Sequence, residues 1–246
     1  MGDTHGPEWA TVAAAVPQQA RSERERSFWQ ELVRAWRWRR VVDAGCGAGL
    51  HLGVLGELGV AAVGFDLALS ALVAGGRRDV AAGDLLAPPL REARWDGVLC
   101  LGNTFSLLAD RSAQRLALGR LAGLLRPGGT MLLQGEDAGA LVAASPVVRT
   151  RGIEPASVHV RVFERRGKRV HMLAGVAPVG SEAQLSETWL LPTTAASVAT
   201  LGGRLGLAPV RLPAPPPAGA GWWVALTAAA VGSRAPRETG TDSRLS

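Results

Sequence analysis

Three glycines at alternate positions, Gly45, Gly47 and Gly49, follow an acid in the stretch VVDAGCGAGLH, Val41 to His51. The β-branched Val41 and Val42 read as a buried strand, and the apolar run from Leu50 to Leu58 reads as a helix. A strand, a glycine turn and a helix in that order form a place where backbone can approach a nucleotide-like ligand closely, because glycine tolerates positive φ and has no Cβ in the way. Asp43 stands at the strand's end, where it can accept hydrogen bonds from a ligand. Two chemistries compete with that reading. A dinucleotide-binding dehydrogenase prefers G-x-G-x-x-G, but here the third glycine comes one residue early and an acid stands where those enzymes carry an apolar residue. A glycine-rich turn with no ligand is the blander alternative, and the later motifs weigh against it.

The stretch resembles the first motif of class I S-adenosylmethionine-dependent methyltransferases, hydrophobic-hydrophobic-D-x-G-x-G-x-G. The likeness covers Arg40 to Leu133 by motif and Thr193 to Leu226 by pattern. It implies S-adenosyl-L-methionine as cofactor and assigns cofactor contacts to Asp43, Gly45, Cys46, Gly47 and Gly49. The segment VGFDLA ends the second apolar run, Ala61 to Phe65, in Asp66, 17 residues beyond Gly49. That spacing leaves room for one helix and one strand. In the resembled family an acid here accepts hydrogen bonds from both ribose hydroxyls, a task suited to the two oxygens of a carboxylate; Leu67 follows it. Asp84, after a third run from Asp79 to Gly83, matches the acid that contacts the adenine amino group, and Leu85 matches the residue that packs on the ring. The segment WDGVLCLGNTFSLL is similar to the C-L-G-N-S/T pattern of a small-molecule subset that includes the glycine and sarcosine N-methyltransferases. It implies that Leu101, Gly102 and Asn103 line the pocket. The turn Arg126-Pro127-Gly128-Gly129 is a further signature: proline stops a helix and the glycines allow a tight reversal into the next strand.

The elements that must position these residues alternate strand and helix. Ser22 and Glu25 predict a capping box that starts a helix carrying Phe28, Trp29, Leu32, Val33 and Trp36 on one stripe. A preceding helix from Glu8 to Ala20 is interrupted at Pro17. Trp29 and Trp36 read as core, although Trp29 or Arg24 can also fold over the site. Strands follow at Arg40–Ala44, Ala61–Phe65, Asp79–Gly83, Asp96–Leu101 and Thr130–Gln134. A short helix from Leu67 to Ala74 ends at Gly75-Gly76. A longer one runs from an Asp110 cap to Leu125, with Leu116, Leu121, Leu124 and Leu125 facing inward. Residues 145–191 depart from the alternation. Val158, Val160 and Val162 alternate with His159, Arg161 and Phe163; Arg169 to Ala177 and Gln184 to Leu191 are further extended runs. They predict an antiparallel insert capping the acceptor pocket, its register open. A helix from Thr194 to Leu205 and two last strands, Ala208–Leu212 and Trp222–Ala228, complete the pattern. The expected fold is α/β: a Rossmann-like, seven-stranded, mostly parallel sheet with helices on both faces and an antiparallel last strand, plus a small antiparallel β cap inserted after strand 5. The expected organisation is a helical segment at 1–38, a cofactor-binding domain at 39–144 and 192–230, the cap at 145–191, and a disordered tail at 233–246.

Composition bounds the partners. The chain has 246 residues, one lysine (Lys168), a formal net charge of +6 and a pI near 10.9. Arginine supplies the positive charge beside abundant Ala, Gly and Pro, as in a GC-rich coding sequence. A mildly cationic solvated surface therefore outweighs nucleic-acid binding, although arginines do concentrate at residues 21–40 and 161–169. No run reaches the ~18 apolar residues of a membrane span. The N-terminus lacks a secretory pattern, and Gly6 stands where a myristoylation motif wants Ser or Thr. Cys46 and Cys100 near strands suit buried thiols in a reducing cytoplasm, and no metal-ligand cluster emerges.

The expected reaction is in-line methyl transfer to a nitrogen or oxygen of a small-molecule acceptor. An oxygen acceptor needs a base; the candidates are His159, His171, Glu136, Asp137 and Glu187, with Asn103 as an orienting group. The chain has no tyrosine, which excludes a tyrosine base or cage. It also lacks N/D-P-P-Y/F and Pro-Cys motifs, which disfavours methylation of nucleic-acid bases. Two alternatives stay open: an RNA or protein methyltransferase using the arginine-rich segments, and a noncatalytic S-adenosylmethionine-binding protein. The acceptor, the oligomeric state and the pathway are not written in the motifs.

Overall fold

A computed structural model describes residues 18–144, 146–153, 157–178, 180, 182, 184–217 and 221–228. Five strands come first: β1 (Arg40–Ala44), β2 (Ala61–Asp66), β3 (Val80–Ala82), β4 (Trp95–Cys100) and β5 (Leu125–Gly135). Four more, β6 (Val147–Ile153), β7 (Ser157–Arg166), β8 (Arg169–Pro178) and β9 (Gln184–Leu190), form a separate antiparallel sheet in chain order. The chain then returns through β10 (Leu207–Val210) and β11 (Trp222–Ala228) to a seven-stranded sheet of order β10-β11-β5-β4-β1-β2-β3. Strands β1 to β5 are mutually parallel, and β11 runs antiparallel to both β5 and β10. This is the Rossmann-like architecture expected, with its cap after strand 5.

Side-chain alternation along each strand divides the core. Val41, Leu99, Leu101 and Leu132 face one layer, where α1 (Gln18–Trp36) and α2 (Leu50–Glu57) contribute Phe28, Trp29, Leu32, Val54 and Leu55. The third helix, α3 (Leu69–Gly75), places Leu72 beside Cys46 and Leu52. Val42, Ala44, Val98, Cys100, Met131 and Leu133 face the opposite layer, built on α4 (Arg111–Leu124). The one-turn α5 (Ala138–Leu141) follows β5, and α6 (Ala195–Gly203) adds Val198 to the α4 layer. Trp38 crosses the sheet's amino-terminal end. A Cβ at Gly97 would lie 2.6 Å from its ring, and its indole N–H donates to Thr130 Oγ1 at 2.7 Å.

Several expectations change. Ser22 does not cap α1, which already runs from Gln18, so Ser22 and Glu25 lie inside the helix. Residues 1–17 and 229–246, which include most of the first expected helix and the expected tail, lie outside the described residues. Leu116 does not face inward: it is 48% exposed, and Ala117, Leu118, Leu121 and Leu124 fill the α4 stripe instead. The insert has a strand the three extended runs did not include, β6, where arginines interrupt the apolar pattern of VVRTRGI. Asp110 does cap α4, accepting from the Ala113 N–H at 2.8 Å. Thr194 and Ser197 form a reciprocal capping box at α6.

Candidate active site

Strand order reverses between β1 and β4. From β1 the chain steps outward to β2 and β3, then returns to β4 on the other side. Carboxyl ends of parallel strands meet there in a crevice, the usual ligand position in such sheets. The glycine turn after β1 lies at this point. Gly45, Gly47 and Gly49 have φ of 80°, 52° and 82°, a region that costs side-chain-bearing residues about 1–2 kcal/mol.

Hydrogen bonds stitch the turn to β2. Gly45 and Cys46 both donate to the Phe65 carbonyl, at 2.8 and 3.1 Å. Gly47 N–H donates to Asp66 Oδ2 at 2.7 Å, and Ala68 N–H to Asp66 Oδ1 at 2.8 Å. Asp66 thus fixes the turn through Oδ2 and its own following segment through Oδ1, and a carboxylate oxygen can accept more than one hydrogen bond. A Cβ added at Gly47 would meet nothing within 4 Å, so this peptide borders open space. The same is true of Gly102, at φ 68°, across the crevice.

The sequence-predicted contacts divide into those that border the crevice and those that shape it from behind. Leu67 is exposed beside Asp66, and Asp84 is half-buried, its Oδ1 accepting from the Leu86 N–H at 2.9 Å. Leu85 and Leu101 are both buried, in opposite layers of the core. The Cys46 side chain packs on Leu52 and Leu72, leaving its backbone in the turn. Burial, then the nearby Asp43 and Asp66 carboxylates, push the Cys46 and Cys100 thiols far above their ordinary range. Neither cysteine is an activated nucleophile. Asn103, in a left-handed conformation, accepts from the Glu136 N–H at 2.6 Å and ties the β4 end to the β5 end. Gly102 N–H donates to Gln134 Oε1 at 2.8 Å in the same clip. Asp43 is 1% exposed, with Oδ2 3.4 Å from His51 Nδ1.

The cap sheet seats on the domain through Phe163, Val170, Met172 and Leu190, which pack on Ala138 and Val142. Register then decides which other side chains share that inner face, since directly paired residues point the same way. Arg149 pairs with Arg161, Arg161 with Ala174, and Ala174 with Ser186, forming one inward row beside the seat. Both guanidiniums reach the acid at the end of β5: Arg149 Nη1 and Arg161 Nη1 lie 3.3 and 3.5 Å from Glu136 Oε1. Glu136 is buried, and its Oε2 has no hydrogen-bond partner among the described residues. His159 shares the inner face one row further on, opposite Val176. The valines Val158, Val160 and Val162 are on the outer face. So are His171 and Glu187, joined by a 3.1 Å contact, with His171 stacked on Trp189. Asp137 is occupied as the cap of α5, accepting from Ala140 N–H at 3.0 Å. Of the candidate bases, Glu136 and His159 therefore face the domain, and His171 and Glu187 face away.

Arg149 and Arg161 were not among the sequence candidates. Their alternation with valine is visible, but which of the two alternating sets faces the domain is decided by the register. His51 was within the glycine motif yet carried no role; its place in the first turn after Gly49 was the available signal.

Residues 42–133 match the family described as Methyltransferase domain. No curated protein matches the chain by sequence. Solved structures do match. The CcbJ methyltransferase from Streptomyces caelestis is 21% identical, with 84% of this chain and 90% of that chain covered and a TM-score of 0.69. An S-adenosylmethionine-dependent methyltransferase from Clostridium acetobutylicum has 10% identity, coverages of 84% and 92%, and a TM-score of 0.70. CalS10 from Micromonospora echinaspora, described as an amino pentose methyltransferase of calicheamicin biosynthesis with its cofactor bound, has 21% identity, coverages of 82% and 89%, and a TM-score of 0.67. At these identities the likeness is one of fold.

Proposed function

We propose that this class I S-adenosylmethionine-dependent methyltransferase acts on a nitrogen or oxygen of a small-molecule acceptor held between the cap's inner face and Glu136. The residues fit the cofactor. Gly47 and Gly102 border open space, Leu67 is exposed for ring contact, and Asp66 presents a carboxylate already oriented by two backbone bonds. Asp66 would hold the ribose and Asp84 the adenine edge. When bound, S-adenosylmethionine supplies an electrophilic methyl on sulfur and departs as S-adenosylhomocysteine.

The observation that carries the acceptor reading is the partnerless Oε2 of Glu136 beneath two arginines of the cap. Glu136 Oε2 is placed to accept a hydrogen bond from an acceptor N–H or O–H and to take its proton. Arg149 and Arg161 hold the carboxylate from the other oxygen and close the site from above. Holding a nucleophile about 3 Å from its target and aligned can lower a barrier by roughly 7–11 kcal/mol. The chain's task is thus to orient the acceptor, exclude water and receive one proton. An amine on a sugar is the first acceptor to try, because CalS10 and KedS8 are described as amino pentose and sugar N-methyltransferases. Many arginines of the basic segments are already paired with acids, among them Arg26 with Glu57, Arg34 with Glu31 and Arg166 with Glu164. This favours a small acceptor over RNA.

The test is transfer of labelled methyl from S-adenosylmethionine to a panel of amino sugars, amines, phenols and RNA, run with wild type and Asp66→Ala. Transfer to a small acceptor, lost in the variant, is expected. Salt-sensitive transfer to RNA alone, or tight cofactor binding with no acceptor turned over, would sink the proposal.

A further inference from the structure

We propose a second small-molecule site, in the cleft between α4 and α6, that takes a ligand with an anionic head (carboxylate or phosphate) and a short apolar body. The cleft encloses about 350 Å³, at the lower end of the range of ligand pockets. It lies in the layer opposite α1 and α2, and none of the residues assigned above to the cofactor or the acceptor lines it. Its apolar surface comes from Phe105, Val198 and Leu201, of which the first two are fully buried below it. Each helix adds one arginine: Arg111 from α4, and Arg204 from the residue that ends α6. Among the described residues, no acid lines the cleft and neither arginine has an acid partner.

Arg111 is held in place by neutral partners. Its Nη1 donates to Gln114 Oε1 at 2.7 Å and its Nη2 to the Pro192 carbonyl at 2.5 Å. Gln114, buried, donates in turn to the Phe105 carbonyl at 3.0 Å and to Thr193 Oγ1 at 2.9 Å. The guanidinium is therefore positioned but not neutralised. A guanidinium carries five N–H donors in a fork that matches carboxylate and phosphate oxygens. Two uncompensated cations beside one concave surface also raise the local concentration of anions. A purely apolar ligand would strip water from those cations and put nothing in its place, at a cost in free energy. An inorganic anion would leave the surface of Phe105, Val198 and Leu201 wet. A molecule with both an anionic head and an apolar body satisfies the two kinds of lining at once.

Three probes with one ring test the site: phenyl phosphate, benzoate and the neutral benzyl alcohol. Each is titrated into the full chain by ligand-observed NMR, with saturating S-adenosylhomocysteine present to fill the crevice. At least one anion is expected to bind with a Kd of about 1 mM or tighter, and the alcohol about tenfold more weakly or worse. Whichever anion binds names the head group. Arg204→Leu should weaken the anion by about tenfold or more, the loss typical of a hydrogen bond to a charged group. Ala196→Glu should do the same by placing an acid in the lining. Ala196 is exposed in the first turn of α6, where an acid also suits the helix dipole, so this variant keeps the reading if Arg204→Leu fails to fold. Replacing Arg149 and Arg161 together by Ala, in the acceptor chamber, should leave the affinity within about twofold. The inference is overturned if neither anion binds by about 10 mM, or if the alcohol binds as well as the anions. It is equally overturned if binding survives both cleft variants or is lost with the acceptor-chamber arginines.

Discussion

The two sides of the crevice are built differently. On the β1–β2 side, backbone makes the site: a glycine turn at positive φ, stitched to Phe65 and Asp66 by three hydrogen bonds within about 20 residues of sequence. On the β5 side, long side chains make it: Glu136 just after β5, Arg149 of β6 and Arg161 of β7 meet only because the cap folds back over the domain. A backbone-made site is encoded by the residues that form it. A side-chain-made site is encoded by register, which no one segment contains. The first suits a ligand common to a family, and the second can change its ligand without disturbing the fold.

The comparison breaks most readily at the seat of the cap. Phe163 is fully buried there, so Phe163→Ala should destabilise by about 3–5 kcal/mol in denaturant unfolding. It should abolish turnover yet leave S-adenosylhomocysteine binding close to wild type. Loss of that binding would mean that the two sides are one cooperative unit. Glu136→Gln keeps the shape and removes the proton acceptor. It should lower kcat by about a hundredfold with cofactor affinity unchanged, and an unchanged kcat would remove Glu136 from proton transfer. Replacing Arg149 and Arg161 together by Ala should raise the acceptor KM by roughly tenfold, about 1.4 kcal/mol, again without affecting the cofactor. The smallest effect is a control at the far end of the sheet. Burial alone would raise the Asp96 carboxyl, but its hydrogen bond from Arg126 and the Arg39 and Arg40 N–H groups outweigh that and hold it below the ordinary range. Its contribution is therefore full above the unfolded-state value near pH 4 and is lost as pH falls through the folded one. Asp96→Asn should cost about 1 kcal/mol at pH 7, with the difference from wild type shrinking in acid and kcat/KM intact.

Between the two sides the legibility differs in the same way. Asp66 could be placed at a strand end from the spacing after Gly49, and the hydrogen bond it accepts from Gly47 N–H also pins the turn. Asn103 was legible as a residue of the β4 end, but its task as a clip to Glu136 depends on β5 lying beside β4. His159, His171, Glu136 and Glu187 stood level as candidate bases, because sequence does not say which face of a strand looks at the domain. The alternation of Val158, Val160 and Val162 with His159, Arg161 and Phe163 left the inward face open, and the register turns His159, Arg161 and Phe163 inward. The larger Phe163 and the β8 residues Val170 and Met172 seat the cap, and one shared register then fixes every neighbour.

The local order of residues determined the nucleotide-like turn, the strands and helices around it and the acids at their ends, since glycine torsions, helix caps and apolar periodicity act over a few residues. The seven-strand order, the inward row of arginines, the burial of Asp43 beneath Trp29 and His51, and the partnerless oxygen of Glu136 were decided by tertiary structure alone. They depend on contacts between segments up to about 200 residues apart, and in a sheet a shift of one residue turns every side chain to the opposite face.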